Sequence, residues 1–323
     1  MRAVVFTGAG GNEVVTVVER PDPVPGAGEL LVAPRFAGLN PADSLQRAGR
    51  YPAPPGAPPD IPGLEVGGEV VACGEGVSAF GPGDRVFGIV GGGGLADRVV
   101  VHETNVVRVP HSLDDRGAAA VPEVFITAHD AVVTQCGLAA DETLLVHAGA
   151  GGVGTAAIQI GLDVGARVLA TVRSERSADA VAGLGAEPLA DEGFASAVRE
   201  ATGGAGADVI LELVGAPHFP GNVEALAHRG RIVVVGVGAG VEAGVSLIAL
   251  MGKRASIRGT VLRTRPLEEK GAAVRAFERD VGPGLAAGRI RPVIDSVFAL
   301  DEVAAAFDRL DGSGKVGKVL LAL

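Results

Sequence analysis

The residues best suited to chemistry by type and spacing are Gly149-Ala150-Gly151-Gly152-Val153-Gly154. They follow an apolar run, Leu144-Leu145-Val146, and lead into an Ala/Ile-rich stretch, which sets the glycines between a strand and a helix. Gly149 lets the chain turn sharply. Gly151 removes the side chain that would hold a pyrophosphate off the backbone, and Gly154 lets the helix pack closely on its strand. The helix N-terminus then offers N–H groups and partial positive charge to the phosphates. In a chain with 50 glycines the pattern alone would be weak. Its strand–turn–helix setting makes it a dinucleotide-binding signal.

The acidic residue that grips an NAD ribose belongs at the end of the second strand, about 20 residues past the glycines. That strand is read as Arg167–Val172, and Arg173-Ser174-Glu175-Arg176 follows with no acid at the strand end. Arg173, Ser174 and Arg176 stand where a 2′-phosphate would lie, and a guanidinium fork pairs phosphate oxygens two at a time. NADPH is therefore favoured over NADH, with Glu175 discordant.

These groups need a scaffold, and 323 residues with 47% hydrophobic content suffice for two domains. A net charge of −10 argues against nucleic acid and against an anionic membrane surface. Two cysteines, Cys73 and Cys136, make neither a disulfide framework nor a metal cluster, which suits a reducing cytoplasm. The N-terminal apolar run is too short for a signal peptide, and no window of about 18 residues is apolar enough for a membrane span.

Short Val-rich runs punctuated by Gly and Pro fill residues 1–110: Arg2–Phe6, Val14–Glu19, Glu29–Pro34, Gly68–Ala72, Arg85–Ile89 and Arg98–Val101. This spacing predicts a barrel-like all-β domain. Pro-rich Tyr51–Pro62 must be a loop. Ser112-Leu113-Asp114-Asp115 resembles a capping box. Helix is then expected over Val121–Cys136, Thr155–Asp163 and Ser177–Leu184, and strand over Thr143–His147, Arg167–Val172, Val209–Leu213 and Ile232–Val235. That alternation specifies a parallel sheet covered on both faces. Val274, Phe277 and Val281 mark one later helix face and Val303, Phe307 and Leu310 another, before a closing strand at Lys318–Leu323.

The chain resembles the zinc-free quinone oxidoreductases of the medium-chain dehydrogenase/reductase superfamily, and within them the tumour-suppressor-inducible branch. The resemblance rests on Gly38-Leu39-Asn40-Pro41-Ala42-Asp43, Gln46-Arg47-Ala48-Gly49-Arg50-Tyr51 with Pro54-Pro55-Gly56, Gly63-Leu64-Glu65-Val66-Gly67-Gly68 and Gly83-Asp84-Arg85-Val86. Pro122-Glu123 with Thr127-Ala128, the glycine turn, and Gly317-Lys318-Val319-Leu320 complete the set. It implies an α/β protein with a GroES-like β-barrel catalytic domain, residues 1–122 completed by 264–323. A Rossmann doubly wound parallel sheet, residues 123–263, would bind NADPH. The family is commonly homodimeric, and Val245–Gly259 is the candidate seam.

Zinc alcohol dehydrogenases of that superfamily carry a Cys near position 40, a Gly-His-Glu at the second motif and a four-cysteine lobe. Here the positions read Asn40 and Gly63-Leu64-Glu65, and no cysteine lobe exists. Leucine cannot ligate zinc and Glu65 alone is too few ligands, so no metal is expected. Without a Lewis acid an alcohol is a poor substrate, and reduction of a quinone or an α,β-unsaturated carbonyl is the expectation.

By the resemblance, Tyr51, the only tyrosine in the chain, donates to the developing oxyanion, and Asn40 faces nicotinamide and substrate. Thr127 would lie near the nicotinamide, Val214, Gly215, Gly236 and Val237 would contact its carboxamide, and Arg263 would hold the far part of the cofactor. Where the branch has a tyrosine behind the 2′-phosphate, this chain has Asp191-Glu192, which would repel a phosphate if they face it. Two other readings remain open. One is an enoyl-thioester reductase, with Arg47, Arg50 and Arg98 as the candidate basic mouth. The other is a nicotinamide-binding regulatory protein without turnover. No GxSxG elbow supports hydrolase chemistry.

Overall fold

The computed structural model describes all of Met1–Leu323. The chain forms two compact units: Met1–Ile126 together with Leu262–Leu323, and Thr127–Val261.

The first unit opens with β1 (Arg2–Phe6), β2 (Val15–Glu19), β3 (Glu29–Pro34), β4 (Phe36–Leu39) and the short helix α1 (Pro41–Arg47). The loop Tyr51–Pro62 has neither helix nor strand, as its prolines require. There follow β5 (Glu65–Cys73), β6 (Arg85–Ile89), β7 (Val99–His102), β8 (Val106–Arg108), α2 (Asp115–Ala120) and α3 (Pro122–His129). An antiparallel sheet in the order β7-β3-β5-β6-β8 carries the barrel-like half, while β1 and β2 pair separately. Alternate residues of these strands, among them Leu30, Val32, Val66, Val70, Val86 and Val101, bury one apolar face.

The capping-box expectation needs correction. The residue that caps α2 is Asp114, whose carboxylate accepts from Gly117 N–H, whereas Ser112 Oγ donates to Leu285 O. The expected helix Val121–Cys136 is also two things, α3 and a π-helical continuation over Asp130–Gln135.

The second unit alternates strictly: β9 (Thr143–Val146), α4 (Gly152–Val164), β10 (Arg167–Val172), α5 (Glu175–Gly183), β11 (Glu187–Ala190), α6 (Phe194–Ala201), β12 (Ala207–Glu212), α7 (Phe219–Ala225), β13 (Leu226–Val234), α8 (Leu247–Lys253) and β14 (Ser256–Gly259). The strands form one parallel sheet in the order β11-β10-β9-β12-β13-β14. This is the doubly wound Rossmann order, with the reversal beside β9. Leu145, Leu169, Ile210 and Ile232 from four of these strands pack with Phe194 and Val198 of α6.

The chain then returns to the first unit through α9 (Leu267–Ala286), β15 (Ile294–Ala299), α10 (Val303–Asp311) and β16 (Lys318–Ala322). β16 lies between β15 and β4, antiparallel to β4 with Leu320 opposite Gly38. α10 buries Val303, Phe307 and Leu310 against β1, β4 and β16, and Phe277 of α9 meets Phe87 of β6 edge-on at 6.1 Å. No helix is long and apolar enough to cross a membrane.

Candidate active site

In the first unit the sequence motifs converge on a buried polar cluster. β4 delivers Asn40 to the start of α1, β5 begins with Glu65, and β16 begins with Lys318. Lys318 Nζ donates to Glu65 Oε1 at 2.6 Å, Asn40 Oδ1 at 2.6 Å and Leu39 O at 2.9 Å, so its three protons are all engaged. Asn40 Nδ2 donates to Glu65 Oε1 at 2.9 Å, and Glu65 Oε2 accepts the Glu123 N–H at 3.0 Å. Asp43 accepts N–H groups from Asn40 and Gly63, at 2.8 and 2.9 Å, which ties the turn after β4 to the segment before β5. Burial raises the Asp43 pKa to about 6 against those two bonds. Glycine is required at 38, because a Cβ there would lie 2.2 Å from Glu65 Oε1.

Tyr51 lies at the start of the Pro-rich loop, partly buried, with its ring under the Arg263 guanidinium at 5.0 Å. Burial raises its pKa, Arg263 opposes the shift and Glu123 adds to it. Its phenol has no hydrogen bond within the chain. Arg263, expected to hold cofactor, is turned to the loops of the first unit. It donates to Gly91 O at 2.8 Å, to Tyr51 O at 3.1 Å and to Gln46 Oε1. Asn40 has both amide atoms bonded within the cluster, leaving one Nδ2 hydrogen for anything else. On α3, Glu123 and Thr127 are the two partly open positions, one turn apart, while the other six residues are buried.

In the second unit the glycine turn joins β9 to α4. Gly151 is the N-cap of α4 and no side chain caps it. The glycines have different reasons. A Cβ on Gly149 would lie 2.7 Å from Ala170 Cβ, and one on Gly154 would lie 2.5 Å from Ala148 O, so packing within the chain demands both. A Cβ on Gly151 would meet only Ala148 O at 3.3 Å. Packing within the chain constrains this position less, and a bare backbone here would fit a pyrophosphate on an uncapped helix end, with Ala150, Gly152 and Val153 completing the turn.

A cavity of about 590 Å³ opens beyond β10 and β11, lined by Arg173, Ser174 and Glu175 on one side and Asp191 and Glu192 on the other. Ser174 is also the N-cap of α5, where it accepts from Ser177 N–H. Arg176 is exposed on α5 and is not part of this lining. Asp191 lies 3.3 Å from His218 Nε2. At the end of β12 the N–H groups of Val214 and Gly215 donate to Glu212 Oε1, and their carbonyls already accept from Ala239 N–H and His218 N–H, so only a second lone pair on each carbonyl could meet a carboxamide. A Cβ at Gly236 would lie 2.5 Å from Leu213 O, and Val237 is exposed.

His147, Glu212 and His218 bring three metal-capable atoms within 4.8 Å of one another. Two of those residues are already engaged. His147 Nε2 meets Asn222 Oδ1 at 2.6 Å and its Nδ1 meets Thr171 Oγ1 at 3.1 Å, while Glu212 Oε2 accepts from Asn222 Nδ2 at 2.5 Å. Burial and His218 lower the His147 pKa to about 3, so the ring is a neutral link in this chain of hydrogen bonds. At the positions where zinc dehydrogenases hold metal, Asn40 and Leu64 flank Glu65, whose oxygens are bonded to Lys318, Asn40 and Glu123 N–H. That donor set does not fit zinc.

Residues 26–111 match the family described as "Alcohol dehydrogenase GroES-like domain", and residues 152–279 match "Zinc-binding dehydrogenase". A human protein named quinone oxidoreductase is 32% identical over 331 residues, covering 100% of this chain and 98% of its own length. Among solved structures, a mycobacterial protein complexed with NADPH superposes with a TM-score of 0.88 at 29% identity, covering 100% of both chains. An NAD-dependent alcohol dehydrogenase superposes with a TM-score of 0.87 at 32% identity, again over 100% of both.

The roles of Lys318 and Glu123 escape sequence reasoning. Both lie in motifs visible in the sequence, but the pairing of Lys318 with Glu65 spans 253 positions and leaves no local signal.

Proposed function

We propose, from the premise that this chain belongs to the medium-chain dehydrogenase/reductase superfamily and is an oxidoreductase acting on a small molecule, that it reduces quinones or other α,β-unsaturated carbonyls with NADPH and without zinc. The observation that carries this reading is the pairing of a bare glycine turn on an uncapped helix with a first unit whose zinc positions hold Asn40, Leu64 and an engaged Glu65. The nicotinamide, when bound, supplies hydride. The chain's own groups then meet negative charge developing on a carbonyl oxygen, and Tyr51, with its phenol uncommitted, is the donor available for that task. Asn40 keeps one amide hydrogen for the same oxygen.

NADPH is supported by Arg173 in the cavity wall and by the mycobacterial relative's bound nucleotide. A second reading, NADH, is favoured by Glu175, Asp191 and Glu192 lining the same cavity. We further propose a cytoplasmic homodimer joined through the second unit. β14 is an open edge of the parallel sheet, and Leu247, Ile248 and Met251 of the adjoining α8 are 72%, 81% and 75% exposed.

Oxidation of NADPH and of NADH, each against ortho- and para-quinones, 2-alkenals and crotonyl thioesters, tests the proposal. Turnover with quinones or alkenals supports it. Turnover with thioesters alone replaces it with the enoyl-thioester reductase reading, and binding without turnover leaves the regulatory one.

A further inference from the structure

We propose that Glu123 is the proton donor of the reduction, acting beside Tyr51; this rests on the reading that the chain reduces a quinone or enone. Addition of hydride to an electrophilic carbon moves a π pair onto oxygen and leaves an enolate or hydroquinone anion, which needs one proton to become product. Hydrogen bonds from Tyr51 and Asn40 would stabilise that oxygen without supplying its proton.

Glu123 stands in the first turn of α3 at one of that helix's two partly open positions, and its carboxyl forms neither a hydrogen bond nor an ion pair in the chain. The groups facing it come from every neighbouring element. Glu65 of β5 is bonded to its backbone N–H at 3.0 Å, and Asp43 of α1 faces it as a second acid. Lys318 of β16 faces it with all three protons directed to Leu39, Asn40 and Glu65. Arg263 directs its fork to Gly91, Tyr51 and Gln46. Lys270 of α9 lies near enough for Glu123 to act on its charge, though burial lowers the Lys270 pKa and no ion pair forms. The remaining neighbour is Tyr51, whose ionisation Glu123 opposes.

A carboxylate at this place would lie beside two acids, with the nearest cations committed elsewhere, so the surroundings favour the neutral acid. Burial, then Glu65, raise the Glu123 pKa to about 8, with Lys318 and Arg263 opposing. An acid of that strength is matched to work near neutral pH, which a phenol held above its ordinary pKa is not.

Hydride carries two electrons and one hydrogen from the dinucleotide to substrate. The Glu123 O–H bond breaks, and its proton passes to the substrate anion directly or through the Tyr51 hydroxyl. Glu123 is left as carboxylate and regains a proton from water.

The test uses the full chain with NADPH, or NADH if that is the working nucleotide, and a naphthoquinone and a 2-alkenal as oxidants. In the wild type kcat should fall as pH rises through about 8. Glu123→Gln should lower kcat by about 100-fold with little change in KM, and should abolish that pH limb. A protonated-carboxyl infrared band, present in the nucleotide-free wild type at neutral pH, should be missing from the variant. A wild-type rate that is flat across this range overturns the proposal without any variant, as does a Glu123→Gln enzyme with an unaltered rate and limb, or the absence of the infrared band. If Glu123→Gln does not fold, Glu123→Asp takes its place and should retain a displaced pH limb; an undisplaced one overturns the proposal. A wild type that reduces neither oxidant with either nucleotide defeats the functional reading itself, an outcome distinct from an active wild type with an indifferent variant.

Discussion

Lys318 and Glu65, separated by 253 positions, meet at 2.6 Å in the interior of the first unit, and the contact fixes Asn40 between them. The side chains are 3% and 1% exposed, so neither charge has water to fall back on. Lys318→Met should therefore lower the unfolding free energy by about 3–5 kcal/mol in urea titration, because it strands a buried carboxylate. Lys318→Met combined with Glu65→Gln should lose less than the single variant. Equal losses would mean that the pair contributes only packing.

The glycine turn allows folding and binding to be separated. Gly154→Ala puts a Cβ against Ala148 O and Gly149 O, and should destabilise the protein by about 1–3 kcal/mol. Gly151→Ala meets only the 3.3 Å contact to Ala148 O, so its Tm should stay close to the wild type. Its affinity for either dinucleotide, followed by quenching of nicotinamide fluorescence, should nevertheless drop about tenfold or more. Unchanged affinity would show that this face of the turn binds nothing.

Cofactor choice should respond with opposite signs at the two walls of the cavity. Asp191→Asn removes a carboxylate and should raise kcat/KM for NADPH relative to NADH by about tenfold, near 1.4 kcal/mol. Arg173→Ala should shift the same ratio toward NADH. A ratio that moves with neither substitution would place the adenosine end of the nucleotide elsewhere.

Glu123 also bears on stability, with a definite sign. Its folded pKa of about 8 lies above the ordinary carboxyl value, so between the two the folded protein holds a proton that the unfolded chain has released. The contribution of this group therefore favours folding least at high pH, and stability falls as pH rises toward about 8. Glu123→Gln removes that slope. Calorimetry should show the variant gaining several degrees in Tm above pH 8 relative to the wild type, with the gain vanishing below pH 5. A gain that is the same at both ends would indicate a packing effect.

Ile248→Asp tests the proposed seam. The side chain is 81% exposed, so the substitution should leave the isolated fold stable while converting a dimer to a monomer in sedimentation or light scattering. A wild type that is already monomeric would dismiss the seam.

The parallel sheet is legible in the sequence because its strands are continuous apolar runs. Arg167–Val172 is found with its observed bounds, and Leu144, Leu145 and Val146 sit at 0% exposure. α4 begins at Gly152 rather than Thr155, since the glycines that open it carry little helical propensity and are held by packing. β4 and β15 are not legible in the sequence. β4 is four residues long, while β15 (Ile294–Ala299) has no fully buried residue even when paired with β16, so it carries no apolar alternation to read. α7, with Pro220 and Gly221 in its first turn, likewise depends on tertiary contacts. At the site, the glycine turn and Tyr51 are visible as types in a pattern. The engagement of Arg263 with the Tyr51 loop, and the surroundings that favour a neutral Glu123, are properties of the folded neighbourhood alone.

The position of β16 has a consequence for biosynthesis. The second unit is one uninterrupted stretch, so its sheet can assemble while the polypeptide is still attached to the ribosome. The first unit begins earlier but waits longer: β4 gains its partner, and Glu65 its counter-ion, only when the last strand emerges. A nascent chain stalled before Lys318 would thus carry a finished parallel sheet and a first unit with a naked acid at its centre, a natural target for chaperones.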